Sequence, residues 1–521
     1  MTAPTESLDS APMLAKIVAT IGPASDSPEM VRRLIEAGVS VFRFNFSHGD
    51  FDSHQKRLDT VRRVSAELGR PVGCLGDLQG PKVRIGKVPD GGITLESGQD
   101  AVIRRGVDVA FTEKNASGQS VAVFPTTYPQ MIDEVQPGQK VLINDGAVRM
   151  LAVESRAKEG ELRCRVIAGG LVTSGKGINL PQSVMSAPAI SPRDWECVDW
   201  AFKNQMDFLA LSFVRRAEEV IELKGNLAAR CPPGAEHDDR HAACWMPVIA
   251  KIEKPQALAD LDRIVAASDG IMVARGDLGV EMDIARVPVA QKEILSVCAA
   301  MGKPCIVATQ MLETMIDNVM PTRAEASDVA NAIFDGADAV MLSAETAAGK
   351  HPALVVETMR RVASAAEERL ARMPRSASSN PTRLEERHKG TAALAHGAAL
   401  IAADLHAKAV VCWSQRGGTA RYLSQNNLHV PIISYSSDAV STRRMTLLGG
   451  VIPVCSQPPA SGRISDWTAT VDEFLLSRGI CARGDSVVIV AGRPLGQAKA
   501  TNTITIHRVG EPSTAHHAHG A

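Results

Sequence analysis

The stretch Val248-Ile249-Ala250-Lys251-Ile252-Glu253-Lys254-Pro255 is an apolar run that ends on charge. Side chains alternate across a strand, so Lys251 and Glu253 point to one side and Ile252 to the other. Alone, the pair reads equally well as a salt bridge at a strand end or as two groups held toward a ligand. The other strand ends decide between the two.

Seven further apolar runs share the pattern: AKIVATIG (15–22), VFRFNFSH (41–48), VGCLGD (72–77), FLALSFV (208–214), GIMVARGD (270–277), CIVATQ (305–310) and AVMLSAE (339–345). Most segments between them have the periodicity of amphipathic helices, such as SPEMVRRLIEAG (27–38) and VPVAQKEILSVCAAMG (287–302), the latter closed by Gly302. Eight such units with continuously hydrophobic strands predict an α/β fold, a (β/α)8 TIM barrel. Polar residues collect where the runs end: Arg43, Asn45 and Ser47 in the second, Asp77 in the third, Lys251 and Glu253 in the fifth, Asp277 in the sixth, Thr309 in the seventh, Ser343 and Glu345 in the eighth. Barrel active sites lie at that C-terminal face, so these side chains are expected to converge.

The gap between the third and fourth runs is too long for a βα loop. Residues 82–186 read instead as an inserted small β-barrel lid domain, with turn signals such as Asn144-Asp145-Gly146. The expected organisation is a disordered tail at 1–12, the barrel at 13–81 and 187–354, the lid, a C-terminal α/β regulatory domain at 355–510, and a disordered tail at 511–521. Within it, RMPRSASSNPTRLEERH (372–388) reads as a linker or exposed turn.

A chain of 521 residues that is 45% hydrophobic and 22% charged, with a net charge of −1, has a globular composition and lacks the basic excess of a nucleic-acid binder. No run has the ~20 apolar residues of a membrane span, the N-terminus lacks the layout of a signal peptide, and most of the ten cysteines sit singly in apolar runs. A cytoplasmic protein is expected. Cys231, His237, His241 and Cys244 cluster in CPPGAEHDDRHAAC, but their spacings match no standard zinc finger, so a polar loop is the main reading and a structural metal the alternative.

In order and spacing, KIVATIGPAS, VFRFNFSHG, GDLQGPKVR, KGINLP, IAKIEKP, GIMVARGDLGVE, ATQMLETM and MLSAETAAGK resemble the successive motifs of the pyruvate kinase family. The resemblance runs from Lys16 to Lys350 and continues more loosely beyond. It implies a phosphotransferase of glycolysis that moves the phosphoryl group of phosphoenolpyruvate to ADP, giving pyruvate and ATP. It makes Glu253 and Asp277 ligands of Mg²⁺ or Mn²⁺, a choice that hard oxygen donors suit. Lys251 then faces the phosphoryl group and the enolate oxygen, and Arg43 binds the phosphate. The backbone of Ala274, Arg275, Gly276 and Asp277 takes the substrate carboxylate, and Thr309 lies on the side where the enolate is protonated. Arg84 and Lys176, with the region of Asn45 and His48, face the nucleotide. Ser343 and Glu345 are proton-relay candidates, with a structural hydrogen-bonding role equally open.

The resemblance also places a monovalent cation among Asn45, Ser47, Asp77 and the carbonyl of Leu78. Members that need K⁺ typically carry glutamate where this chain has Lys82, which resembles the K⁺-independent branch. A fixed ammonium can do the electrostatic work of a bound ion, so K⁺ is expected not to be required; a solvated hinge lysine is the alternative. Beyond the barrel, WSQRGGTARYLS (413–424) resembles a loop that binds an effector's phosphate, with Ser414, Gly417, Gly418 and Thr419 as contacts for a phosphorylated metabolite. An ordinary βα loop is the other reading. A homotetramer follows from the resemblance alone. Two competing functions are a Mg-dependent barrel lyase or mutase acting on phosphoenolpyruvate or a 2-oxo acid, and a catalytically silent regulatory subunit.

Overall fold

The computed structural model describes residues 13–115, 117–231, 245–373, 381–497 and 501–511. His237, His241 and Cys244 of the possible metal cluster lie outside these residues.

Eight parallel strands close a barrel: Lys16–Thr20, Val39–Asn45, Gly73–Asp77, Phe208–Leu211, Val248–Ile252, Gly270–Ala274, Cys305–Ala308 and Ala339–Leu342, the first pairing with both the second and the eighth. Each lies within one of the expected runs or overlaps it, and the strand pairing ends before the polar tail of most runs. Glu253, Thr309 and Ser343 therefore sit one residue beyond their strands. Asp277 lies farther on, in a helix over Arg275–Glu281 rather than at a strand end. Full burial explains the continuous apolar pattern: alternate strand residues face the barrel interior or the helices outside. Helices begin on side-chain caps, as Ser27 accepts from Met30 N and Thr322 accepts from Glu325 N.

The helix Pro352–Ala371 departs from the expected division at residue 355. Val355, Val356, Met359, Ala363 and Ala366 join the barrel's own core, so this helix forms the barrel's outer layer and the C-terminal domain starts after it. Its apolar face has the helical period, which places it on a neighbour without saying which one.

Between the third and fourth barrel strands stand a seven-stranded sheet and a two-stranded ribbon, with the separate core of a small β unit. Asn144 (φ 55°) and Asp145 (φ 52°) turn the chain between Lys140–Ile143 and Val148–Arg156, as the Asn-Asp-Gly signal requires. The C-terminal sheet runs, in spatial order, Val451–Cys455, Ile432–Ser436, Ala409–Trp413, Ser486–Gly492 and Thr501–Arg508, with only the last strand antiparallel.

The C-terminal domain docks on the barrel floor, opposite the polar rim. Leu447 is 1% exposed and belongs to the same cluster as the barrel-interior residues Val18, Val41, Leu75, Ile249 and Met272. Gly73 is required there, because a Cβ would come within 2.9 Å of Thr446 Oγ1 and 3.2 Å of the Arg443 carbonyl. Buried Asp207 fastens the joint, accepting from Arg62 Nη2 at 3.0 Å, Arg443 Nε at 2.9 Å and Cys74 N at 2.9 Å. Arg444 Nε donates to its carbonyl at 3.2 Å. Removing one member of such a buried network strands the others. Asp207→Ala is therefore expected to cost about 3–5 kcal/mol and to lower the midpoint of the first transition in a urea or thermal melt.

Candidate active site

Of the polar strand ends, Arg43, Asp77, Lys251 and Glu253 meet at the rim, around Asp77. This carboxylate is 1% exposed. Its Oδ2 accepts from Arg43 Nε at 2.6 Å, and its Oδ1 lies 3.2 Å from Lys251 Nζ. Arg43 also donates to Thr20 Oγ1 at 3.0 Å, and Lys251 to Ser212 Oγ at 2.8 Å. The opening pair does form an ion pair, with Lys251 Nζ 3.0 Å from Glu253 Oε1. Lys251 thus meets two carboxylates and a hydroxyl, which a simple strand-end salt bridge does not account for.

Electrostatics follow from burial among these charges. Burial works against the Asp77 carboxylate, yet Lys251 and Arg43 together hold it below the ordinary aspartate value. Burial also disfavours the Lys251 ammonium, but Asp77 and Glu253 outweigh it and hold the group charged above the usual lysine range. Burial pushes the Glu253 carboxyl up to about 7; Lys251 opposes this and nearby Asp277 adds to it.

Strain in the backbone sets two further groups. Phe213 has φ 55°, and its N–H donates to Glu253 Oε2 at 2.6 Å. Thr309 has φ 68° and Gln310 φ 54°, an outlying conformation for a β-branched residue. Thr309 Oγ1 accepts from Gly276 N at 2.7 Å, and its carbonyl accepts from Arg275 Nη2 at 2.8 Å. A Cβ at Gly276 would press to 3.3 Å from that hydroxyl, so the tight Gly276–Thr309 approach suits glycine. The Arg275 side chain is spent on this backbone and on Asp328 at 2.6 Å, which leaves its main chain for a ligand. Ala274, fully buried, ends the sixth strand beside it. The half-buried Asp277 has no hydrogen bond or ion pair among the described residues.

The remaining candidates divide. Asn45 Oδ1 accepts from Ser47 N at 3.1 Å, and the Leu78 carbonyl accepts from Ser212 Oγ at 2.6 Å. Arg84 and Lys176 meet at the root of the lid, where Arg84 pairs with Gly177 and donates to the Gly175 carbonyl at 2.9 Å. Lys82 shares this root: its Nζ lies 3.9 Å from where a Gly177 Cβ would stand. His48 is exposed. No hydrogen bond or ion pair joins His48, Lys82, Arg84 or Lys176 to the Arg43–Asp77–Lys251 cluster among the described residues. Glu345 spends its oxygens on the backbone N–H groups of Ser343 at 2.7 Å and Leu312 at 3.4 Å, while the buried Ser343 Oγ has no partner. In the C-terminal loop, Ser414 Oγ accepts from Ala420 N and Thr419 Oγ1 meets Thr501 Oγ1 at 2.8 Å, whereas Gly417 and Gly418 border a cavity.

Sequence reasoning missed Ser212, Thr20 and the Phe213 amide. Ser212 was findable, being the polar residue at the end of the fourth run. Thr20 ends a strand with the same signal. A main-chain donor in a left-handed bend leaves no mark in the sequence.

The family model for the pyruvate kinase barrel domain matches residues 13–356, and that for the pyruvate kinase alpha/beta domain matches residues 392–507. Among curated proteins, the chain is 40% identical over 502 residues to a pyruvate kinase of Mycobacterium tuberculosis, covering 95% of this chain and 98% of the relative. It is 38% identical over 497 residues to one of Sporosarcina psychrophila, covering 95% and 80% respectively. A pyruvate kinase of Geobacillus stearothermophilus is 38% identical over 496 residues, with the same coverage. With both domain models matched and these identities sustained along nearly the whole length, the chain belongs to the pyruvate kinase family.

Proposed function

We propose that the rim around Asp77 transfers the phosphoryl group of phosphoenolpyruvate to ADP, giving pyruvate and ATP. The observation that carries this reading is the buried pairing of Arg43 and Lys251 on one carboxylate. Phosphoryl transfer asks for neutralised charge and fixed alignment more than for covalent chemistry. Asp77 holds both cations against solvent, so their positive ends need little reorganisation when the phosphate arrives. Arg43 takes the phosphate oxygens. Lys251, kept protonated by its carboxylate neighbours, stabilises the leaving enolate oxygen. The N–H group at Asp277 orients the substrate carboxylate, beside the Gly276 amide that Thr309 Oγ1 holds at 2.7 Å. Thr309 stands on the side where the enolate takes its proton, and the unpartnered Ser343 hydroxyl is the better relay candidate than Glu345, whose oxygens are occupied.

Glu253 and Asp277 suit Mg²⁺ or Mn²⁺: both are carboxylates near one another, and the Asp277 side chain has no hydrogen bond or ion pair among the described residues. Bound there, the ion supplies a hard Lewis acid toward the substrate's carboxylate and enol oxygen. The unit at 82–186 serves as the lid, and Arg84 and Lys176 at its root draw in the nucleotide phosphates. Lys82 replaces the monovalent cation otherwise held near Asn45, Ser47, Asp77 and Leu78; it has no ion pair among the described residues. The effector loop at Ser414–Thr419 and a homotetramer complete the reading by family likeness. A Mg-dependent lyase has no use for the lid-root cations, and a silent subunit has no use for an intact Arg43–Asp77–Lys251 cluster. Among the described residues no helix is long and apolar enough to cross a membrane.

A coupled pyruvate assay with Mg²⁺ tests the assignments. Lys251→Met is expected to lose activity by roughly 10²–10³-fold, and full activity in that variant would sink the mechanism. Ser212→Ala, which removes the hydroxyl between Lys251 and the Leu78 carbonyl, is expected to lower kcat by roughly 10–100-fold with KM for phosphoenolpyruvate nearly unchanged. The wild type is expected to run at near-full rate without K⁺, and Lys82→Glu to acquire K⁺ dependence; a large activation of the wild type by K⁺ overturns the charge-substitution reading.

A further inference from the structure

We propose that Glu281 is a positioning residue whose buried carboxylate ties the root of the lid to the helix carrying Asp277, so that lid seating and the pose of Asp277 are set together. This coupling rests on the lid and metal assignments above and names the contact through which the two communicate.

Glu281 is the last residue of the helix Arg275–Glu281, and its side chain is fully buried. One oxygen, Oε1, takes donors from two parts of the molecule. Lys254, just past the fifth barrel strand, donates from Nζ at 2.6 Å, and Asn179, from the lid, donates from Nδ2 at 2.8 Å. Asn179 is itself buried and ends the strand Ile178–Asn179, which pairs with Lys140–Ile143 in the seven-stranded lid sheet. A second contact joins the same partners. Val280 Cγ1 is 3.7 Å from where a Gly146 Cβ would stand, so the Asn144-Asp145-Gly146 turn rests on the helix. Asn144 N donates to the Gly177 carbonyl at 3.0 Å, which fastens that turn to the chain entering the Asn179 strand.

Stability accounts poorly for this arrangement. Glu281 Oε2 and Asn179 Oδ1 are buried and have no hydrogen-bond partner among the described residues. A half-satisfied buried carboxylate costs free energy that an apolar side chain of similar volume does not. What the contact supplies is direction. A helix of seven residues has too few internal hydrogen bonds to fix its own position, so its pose follows from its two ends. At the first turn Thr309 Oγ1 accepts from Gly276 N, and at the last residue Glu281 meets the lid and Lys254. Asp277, without a side-chain hydrogen bond or ion pair among the described residues, lies between these anchors. Lys254 extends the tie to the other carboxylate: it follows Glu253 in the chain, and its Nζ stands 5.8 Å from the ring centre of Phe213, whose N–H holds Glu253. When the lid lifts, the Asn179–Glu281 bond either breaks or pulls on the helix, and both change the setting of Asp277.

The test uses the full-length enzyme without substrates, so turnover plays no part. Hydrogen exchange read by mass spectrometry follows the helix Arg275–Glu281, and the electron paramagnetic resonance signal of free Mn²⁺ gives the affinity for that ion. Asn179→Leu removes the lid's donor together with the orphaned acceptor. In this variant, exchange of the helix amides is expected to quicken about tenfold and Mn²⁺ binding to weaken about three- to tenfold, although Asn179 is no metal ligand. Exchange in the strand Cys305–Ala308 should stay as in the wild type. In a Glu281→Met background, Asn179→Leu is expected to add nothing further. The wild type supplies a check free of substitution, since by reciprocity Mn²⁺ should slow exchange in the lid strand Ile178–Asn179. Unchanged helix exchange or unchanged Mn²⁺ affinity in Asn179→Leu, additive effects in the double variant, or a lid strand indifferent to Mn²⁺ overturns the latch. Pyruvate formation by the wild type is measured separately. If it occurs while the latch fails, the phosphoryl-transfer reading stands alone; if the helix responds to Asn179→Leu without it, the latch stands and that reading falls.

Discussion

Asp77 is the constraint on which the rim depends. A carboxylate 1% exposed would be costly alone, and so would each cation beside it. Together they form one buried unit in which Arg43, Asp77 and Lys251 come from the second, third and fifth barrel strands. The unit therefore reports on barrel closure: only in-register parallel strands bring residues so far apart in sequence to one height. Buried ion clusters often gain little net stability. Here the return is directional, because the same contacts that satisfy Asp77 hold two positive groups beside one carboxylate.

Around that unit the backbone does what side chains cannot. Phe213, Thr309 and Gln310 adopt left-handed conformations just after their strands, each at a cost of the order of 1–3 kcal/mol. Such bends turn a main-chain N–H toward Glu253 and a threonine hydroxyl toward Gly276. The regular strands supply rigidity, and the bends at their ends supply aim.

Much of this was legible in the sequence because barrels write their strands as apolar runs and their sites as polar endings. The eight strands and the cluster at Arg43, Asp77, Lys251 and Glu253 follow from those two rules. Asp277 was found through its motif, while its helical setting shows that pairing ended three residues earlier at Ala274. The helix Pro352–Ala371 was assigned to the wrong neighbour, since a helical apolar stripe specifies a buried face without naming the surface that buries it. The motif read Arg275 for its backbone alone; that its side chain braces Thr309 is decided by distances of a few ångströms that no one-dimensional pattern records.

Leu447 gives the C-terminal domain a place in the barrel's architecture. A TIM barrel usually finishes its own interior with layers of strand side chains. Here a leucine from outside completes the lowest layer, and Gly73 is kept bare to admit its segment. The two domains are thus not beads on a string. Severed from its partner, the catalytic half would have an oily hole in its base, and Asp207 would keep Arg62 but lose Arg443 and Arg444. Part of the barrel's own core is thus delegated to the neighbouring domain.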